Sequence, residues 1–417
     1  MRIAVIEPDG SGGLVQFAYQ LCSGFAASGA DVTLVTSQSY ELADLPHDFK
    51  VERRLELWSR VEARGLARIS TAQRLWRASR RAWRGVVLLR EWASLTRFLL
   101  RQRYDVIQFG VLPFPFLVVF LEILRRRGLF LAQVCHEFEN REEPQAGAVV
   151  RRLQRRLFAD LSVVFFLSEA VRQSFVERYA AESGRTYVVP HGNEDIFRLC
   201  ARPAPWLKTR YGLSEGDVVI LYFGAVRPSK GLEDLLEAFI RLAPPPHVKL
   251  LIVGYPTKHV DMENLSAIAA ASPMAGQVVF DPRYVPKEEV GALVELASVV
   301  VLPYRNATQS GVLHLAYSFA RPVIATAIGE LARAVVPGRT GLIVPPQAPD
   351  ALKDALAAIL ADPDHARAMG RQARQLSDTR YAWPRIARTM LDVYGHALAA
   401  RPRYPCAAGD PLFRERP

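Results

Sequence analysis

The chain has 417 residues, half of them apolar, and a formal net charge of +11 at pH 7. That length exceeds one ordinary hydrophobic core and suits two α/β domains of about 200 residues each. Four cysteines (Cys22, Cys135, Cys200 and Cys406) lie far apart with no Cys-x-x-Cys spacing, which argues against a zinc site or disulfide framework and for a reducing, cytoplasmic setting.

The first apolar run, Ile3 to Ile6, is too short for a secretory leader and reads as a strand. Strand-like runs then alternate with helical periodicity throughout. In the first half they are Val32–Thr36, Val106–Phe109, Phe130–Cys135, Ser162–Leu167 and Tyr187–Val189, six strands with the first. In the second half they are Val218–Phe223, Lys249–Val253, Val278–Phe280, Val299–Leu302, Pro322–Thr326 and Thr340–Val344. Amphipathic helices fall between, for example over Gly13–Ser28, Leu232–Leu242, Lys287–Leu296 and Ala348–Ala361. This order predicts two doubly wound, Rossmann-like parallel-sheet domains, 1–200 and 206–380, joined near Pro203 and Pro205. A helix over 381–399 and a disordered, proline-rich tail over 400–417 follow. The longest apolar stretch, Val111 to Leu124, holds two prolines and a glutamate. It falls short of the roughly 20 residues a spanning helix needs and reads as a loop entering a buried helix.

Positive charge concentrates between Arg53 and Arg103, where fourteen arginines face three glutamates. Trp58, Trp76, Trp83 and Trp92 are interleaved with them. This pattern suits an anionic membrane surface, which would place the protein peripherally on the inner face of the membrane. It equally describes a solvated helix face whose tryptophans enter the core, and less well a nucleic-acid surface.

Several turns carry chemistry-bearing residues. Gly12-Gly13, between a strand and a helix, would let backbone amides approach an anion, or would merely permit a tight turn. His136 follows a strand directly, at the sheet edge where open α/β folds bind ligands, and so does His191 in Pro190-His191-Gly192-Asn193. Each histidine has an equally simple reading as a satisfied hydrogen-bonding residue. The strongest signal runs from Gly224 to Gly231, where Arg227 and Lys230 enter a short loop at a helix start. Two cations, exposed backbone and a helix dipole favour a diphosphate. Tyr304 to Val312 makes a second such turn, with Ser310 and Gly311 opening a helix. Two facing helix N-termini would form a pyrophosphate cradle.

These stretches, in the order FGAVRPSKGLEDLLEAF, YVPKEEVGALVELASVVVLPYR, SGVLHLAYSFARPVIAT and GRTGLIVPP, resemble the retaining glycosyltransferases of family four. GGLVQFAYQL, the His136 turn and PHGN agree in the first half. The resemblance implies a GT-B fold, with a nucleotide-sugar donor on the C-terminal domain and a glycan or lipid-linked acceptor on the other. It also implies a final helix crossing back to the first domain, no metal or other cofactor, and cell-surface polysaccharide synthesis in bacteria. Arg227 and Lys230 would neutralise the leaving diphosphate. Gly12, Gly13, Gly224, Tyr304, Ser310, Gly311 and Val312 would line the donor. His136 would position or stabilise the sugar, and His191 and Asn193 would face the acceptor side.

The chain departs from the family pattern where two donor glutamates, eight residues apart, are usual: Ala307 and Leu315 stand there. Ala225 replaces the usual phosphate-loop arginine, and Arg227 two residues on is its expected substitute. Glu330 stands at the second glycine of the family's ATxxGG, and Arg333 stands in place of the glutamate soon after it. An active transferase is the leading expectation; a GT-B scaffold that lost donor chemistry is the alternative.

Overall fold

The computed structural model describes residues 1–55, 71–112, 114–136, 147–179, 183–257 and 260–400, with side chains between 71 and 101 from residue 83 onward. Residues 56–70, which carry Trp58, and the expected disordered tail beyond Ala400 lie outside the described residues.

The first half forms a seven-stranded parallel sheet in the order β3-β2-β1-β4-β5-β6-β7. Its strands are β1 (Arg2–Ile6), β2 (Asp31–Ser37), β3 (Lys50–Leu55), β4 (Val106–Phe109), β5 (Phe130–Cys135), β6 (Val163–Phe166) and β7 (Thr186–Val188). Six strands were expected, and β3 is the addition. KVERRL is too charged to read as a core strand, yet at the sheet edge only β2 pairs with it and its charges face water. Helices α1 (Gly13–Ala27), α2 (Thr71–Arg101), α3 (Val118–Arg126), α4 (Ala148–Ala159) and α5 (Glu169–Tyr179) connect the strands. α1 covers one face; the other packs on α2 to α5 through Leu95, Leu99, Leu121, Leu157 and Phe175. The helix expected to be buried, α3, is amphipathic instead: Leu121 and Leu124 are buried while Val119 and Ile123 are exposed.

Two short helices, α6 (Ile196–Cys200) and α7 (Trp206–Arg210), flank the irregular residues 201–205. The second half is a six-stranded parallel sheet, β10-β9-β8-β11-β12-β13. Its strands are β8 (Val218–Phe223), β9 (Val248–Val253), β10 (Val278–Asp281), β11 (Val299–Leu302), β12 (Val323–Thr326) and β13 (Gly341–Val344). Around it lie α8 (Leu232–Leu242), α9 (Met262–Ala271), α10 (Lys287–Leu296), α11 (Gly311–Ser318), α12 (Leu331–Ala334), α13 (Pro349–Ala361) and α14 (Pro363–Thr379). The inner strands β9, β8, β11 and β12 are largely buried on both faces and read as near-continuous apolar runs. The partly buried edge strands β10 and β13 stay apolar enough that all six were legible in sequence.

The last helix, α15 (Trp383–Ala399), lies against α1 of the first sheet and buries Ile386, Ala387, Met390 and Tyr394. The Tyr394 hydroxyl donates to Gln108 Oε1 on β4, and Trp383 Nε1 donates 2.8 Å to the Asn193 carbonyl. On the opposite side of the joint, Lys287 at the start of α10 donates 2.6 Å to the Glu41 carbonyl and 2.8 Å to Asp44, both just beyond β2. The carboxyl edges of both sheets thereby face one cleft.

Candidate active site

The floor of the cleft on the second-domain side is the carboxyl edge of β8 and β11. After β8 the chain turns at Gly224 and runs through Arg227 into a single 3-10 turn, Pro228–Lys230, before α8 begins. Gly231 caps α8 with φ +62°, and a Cβ there would lie 2.0 Å from the Pro303 carbonyl oxygen, so the loops after β8 and β11 meet only because this residue is glycine. Val312 Cγ2 lies 3.5 Å from the Cβ position of Gly224. The two expected donor turns are thus in contact.

Their charges are distributed unequally. Arg305 forks onto Asp234 at 2.6 and 3.0 Å and reaches Glu233 at 3.4 Å, so this arginine is internally spent. Lys230 and Arg227 have no ion-pair partner among the described residues. Lys230 Nζ instead sits 3.5 Å from the centroid of the Tyr304 ring, and Arg227 is exposed. The pair of helix N-termini expected as a cradle is reduced to one. Glu233 and Asp234 occupy the first turn of α8 and meet its dipole from within. α11 has no acidic residue in its first turn and no side-chain cap. Its N-cap Ser310 turns its hydroxyl to Tyr304 at 3.2 Å, so the leading amides of α11 face the cleft unclaimed by that side chain.

Gly311 opens α11 opposite the first domain. A Cβ on it would lie 3.4 Å from Glu194 Oε1 and 3.8 Å from His191 Nε2. His191 is buried, its Nδ1 2.8 Å from the Gly192 carbonyl oxygen, and its ring stacks on His314 of α11 at 4.9 Å and 11°. Burial holds His191 near a pKa of about 4 and His314 well below the ordinary value. Glu194, which accepts 3.1 Å from Gln20, is pushed up by the same desolvation to about 8. At neutral pH this junction is therefore largely uncharged. Beside it opens a small pocket lined by His191, Gln309, Ser310, His314, Glu330 and Arg380, among others. Gln309 Oε1 and His314 Nδ1 are buried there without a hydrogen-bond partner among the described residues.

His136 packs edge-on against Phe17 of α1 at 4.6 Å, and Phe17 in turn touches His191 at 5.4 Å and Trp383 at 4.8 Å. Desolvation, then the neighbouring His191, lowers the His136 pKa to about 3. Phe17 is the residue that sequence reasoning passed over. Its position on α1, one turn after the glycine pair, was the available signal.

Two expected site residues take other roles. The Gly12 amide, expected to meet an anion, donates 2.9 Å to Glu41 Oε1, which also accepts from Gln16. Gly13 is exposed beside it. An acidic side chain from beyond β2 thus already takes the amide just ahead of α1. The Asn193 amide donates to Asp195 and to the Ser377 carbonyl, both at 3.2 Å, and so braces α14. Tyr304 is 2 % exposed, so it supports Lys230 and Ser310 from beneath and presents little surface of its own. Of the missing glutamates, Ala307 sits in the β11–α11 loop and Leu315 is buried in the core. Among the described residues no group of three or more His, Cys, Asp and Glu is placed to hold a metal ion.

Two facing doubly wound sheets with a ligand cleft at their carboxyl edges define the GT-B class. Solved structures agree on the fold: a glycosyltransferase from Rickettsia africae (TM-score 0.70, 15 % identity, 96 % of this chain and 99 % of that one) and Anabaena HepE bound to UDP-glucose (TM-score 0.68, 16 % identity, 95 % and 100 %). Residues 11–194 match the family described as Glycosyltransferase Family 4, and residues 217–362 match Glycosyl transferases group 1. The chain belongs to this glycosyltransferase family. It is similar to D-inositol 3-phosphate glycosyltransferase of Streptomyces avermitilis, with 31 % identity over 62 % of this chain and 56 % of the relative. It is also similar to a GDP-mannose-dependent phosphatidylinositol monomannoside mannosyltransferase of Mycolicibacterium smegmatis, with 29 % identity over 56 % and 62 %. The chain spans little more than half the length of these curated relatives.

Proposed function

We propose that this protein transfers a sugar from a nucleoside diphosphate donor to a glycan or lipid-linked acceptor, with retention of anomeric configuration, in the assembly of a bacterial cell-surface polysaccharide. The observation that carries the reading is the meeting of two cations without an ion-pair partner among the described residues, Arg227 and Lys230, with the uncapped N-terminus of α11 across the Gly224–Val312 contact. Neither cation is neutralised by a carboxylate among the described residues, which leaves both available to an external anion in the cleft. The names of the relatives, which include UDP-glucose-bound and GDP-mannose-dependent proteins, support a nucleotide-sugar donor.

In this reading Lys230, Arg227 and the amides of Gly311 and Val312 stabilise the charge that develops on the departing diphosphate, so no metal is needed for that step. The acceptor hydroxyl attacks the face the diphosphate leaves, and the phosphate oxygen takes its proton. His136 and His191, held neutral, orient hydroxyl groups without adding charge. Gln309, His314 and Glu330 line the seat of the sugar.

Calorimetry with UDP and GDP, followed by a nucleotide-sugar panel scored by released diphosphate, tests the proposal. Absence of binding at millimolar nucleotide by folded protein would favour the second reading, a non-catalytic GT-B scaffold. What favours that alternative is the burial of apolar Leu315 where the family carries a donor glutamate.

A further inference from the structure

Glu194 brings a carboxyl group from the link between β7 and α6 to the head of α11. It is 7 % exposed, and its amide donates 2.9 Å to Ser318 Oγ at the far end of that helix. Its Oε2 accepts 3.1 Å from Gln20 Nε2 of α1, while Gln20 Oε1 accepts 3.2 Å from the Ile196 amide. Contacts from both domains therefore fix the carboxyl in place. Its other oxygen, Oε1, takes no hydrogen bond among the described residues. That oxygen lies 3.4 Å from the Cβ position of Gly311, the first residue of α11. A longer side chain at 311 would extend into this space, so glycine keeps the carboxyl against the uncapped turn.

A carboxyl so placed must be neutral if an anion is to share the helix head with it. The groups around it are Gln20 of α1, His191 of its own link, His314 of α11 with Arg380 beyond it, and Asp195, which Arg374 of α14 holds in an ion pair. His191 Nδ1 lies 2.8 Å from the Gly192 carbonyl oxygen, which puts the ring proton on Nδ1 and leaves Nε2 an acceptor. Nε2 and Glu194 Oε1 are 3.8 Å apart, too far for a hydrogen bond, so the histidine does not occupy this oxygen. Desolvation, offset in part by Gln20 and reinforced by Asp195, pushes Glu194 up to about 8. Both histidines are neutral well below that. Around pH 8, Glu194 is the member of this group whose charge changes.

We infer that Glu194 is a further donor-contacting residue: as a protonated carboxyl it donates a hydrogen bond to the diphosphate at the head of α11, so that nucleotide binding holds one proton on the protein. The inference rests on the nucleotide-sugar reading given above. A diphosphate oxygen accepts from the carboxyl O–H as it accepts from the Gly311 and Val312 amides, and hydrogen bonds to an ionised acceptor are the strong ones. Once ionised, Glu194 repels the diphosphate and competes with it for those amides, as Glu41 takes the amide of Gly12. The acid comes from the first domain and the amides from the second, so the diphosphate is held by both.

The full chain is titrated with UDP and with GDP by calorimetry between about pH 7 and pH 9, where the terminal phosphate is already ionised. Two buffers of unlike ionisation heat report the protons taken up. Uptake is expected to be small at pH 7 and to approach one proton at the alkaline end. Over the same range Kd rises, by up to about tenfold per pH unit above the Glu194 pKa. Glu194→Gln keeps a donor that cannot ionise, so it abolishes the uptake and flattens the slope. Glu194→Ala raises Kd about tenfold at pH 7, and Gln restores most of that loss. Nucleotide binding without proton uptake, a slope that survives Glu194→Gln, or an affinity of Glu194→Ala equal to the parent's overturns the inference and leaves the donor reading standing. Absence of nucleotide binding by the folded parent overturns the donor reading and the inference with it. The uptake measured on the parent decides the matter even where Glu194→Ala does not fold.

Discussion

Lys230 holds its ammonium 3.5 Å above the ring of Tyr304 and has no carboxylate beside it among the described residues. A cation over an aromatic face is steadied by the ring quadrupole yet keeps its N–H donors for a ligand. The arrangement fixes where the charge stands without neutralising it. Lys230→Ala is therefore expected to lower turnover about a hundredfold or more, and Arg227→Ala comparably, since each removes a charge from the developing diphosphate. Steady-state kinetics with the preferred donor check this. Near-normal rates in both variants would mean the diphosphate lies elsewhere.

Glu194 yields a prediction in pH. Its folded pKa of about 8 exceeds the ordinary 4.5, so the folded state holds the proton more tightly. The contribution is intact below 4.5 and stability is lost as pH rises from there to about 8. His191, lowered from 6.5 to about 4, acts in the opposite direction, with stability lost as pH falls from 6.5. Glu194→Gln should flatten the basic limb alone. Its melting temperature should exceed that of the parent by several degrees at pH 8 and match it near pH 4.5. Parallel Tm profiles for the two proteins would refute this.

The seam with α15 is tight at one glycine. A Cβ on Gly192 would lie 2.2 Å from the Trp383 ring. Gly192→Val should thus unseat the indole from Phe17 and the Asn193 carbonyl, costing about 3 kcal/mol or more. Denaturant unfolding measures the loss. The companion Gly13→Ala, where nothing lies within 4 Å of the added carbon, should cost well under that.

Lys287 gives a third handle on the joint. Lys287→Met keeps the stem and removes the donor to Glu41 and Asp44. Because Asp44 is half exposed, the ion pair counts for little and the carbonyl hydrogen bond for most of an expected loss of about 1–2 kcal/mol. The sharper readout is the donor KM, which should rise several-fold if the clasp holds the cleft closed; an unchanged KM would confine Lys287 to stability.

Charge compensation by Arg227, Lys230 and α11 also predicts indifference to chelators. Transfer rates measured with and without EDTA should agree, and a rate that collapses and returns with a divalent cation would contradict the proposed donor chemistry.

The architecture was largely legible because a parallel sheet buried on both faces must be written in unbroken apolar strands, and helices around it in a 3.6-residue period. The second sheet was read strand for strand. β3 escaped because an edge strand can be charged. The placing of Arg227, Lys230, Ser310 and Gly311 at the ends of β8 and β11 followed from the same periodicity. Which of them remain available did not follow from it. That Asp234 claims Arg305, that Glu41 fills the turn at Gly12, and that Asn193 serves α14 are all contacts between distant segments. The stacking of His191 on His314, the linking of His136 to His191 through Phe17, and the approach of Glu194 to Gly311 depend on how the two sheets and α15 come together. Local pattern sets which residues reach a sheet edge; only the packed chain decides which of their charges and hydrogen bonds are already spent.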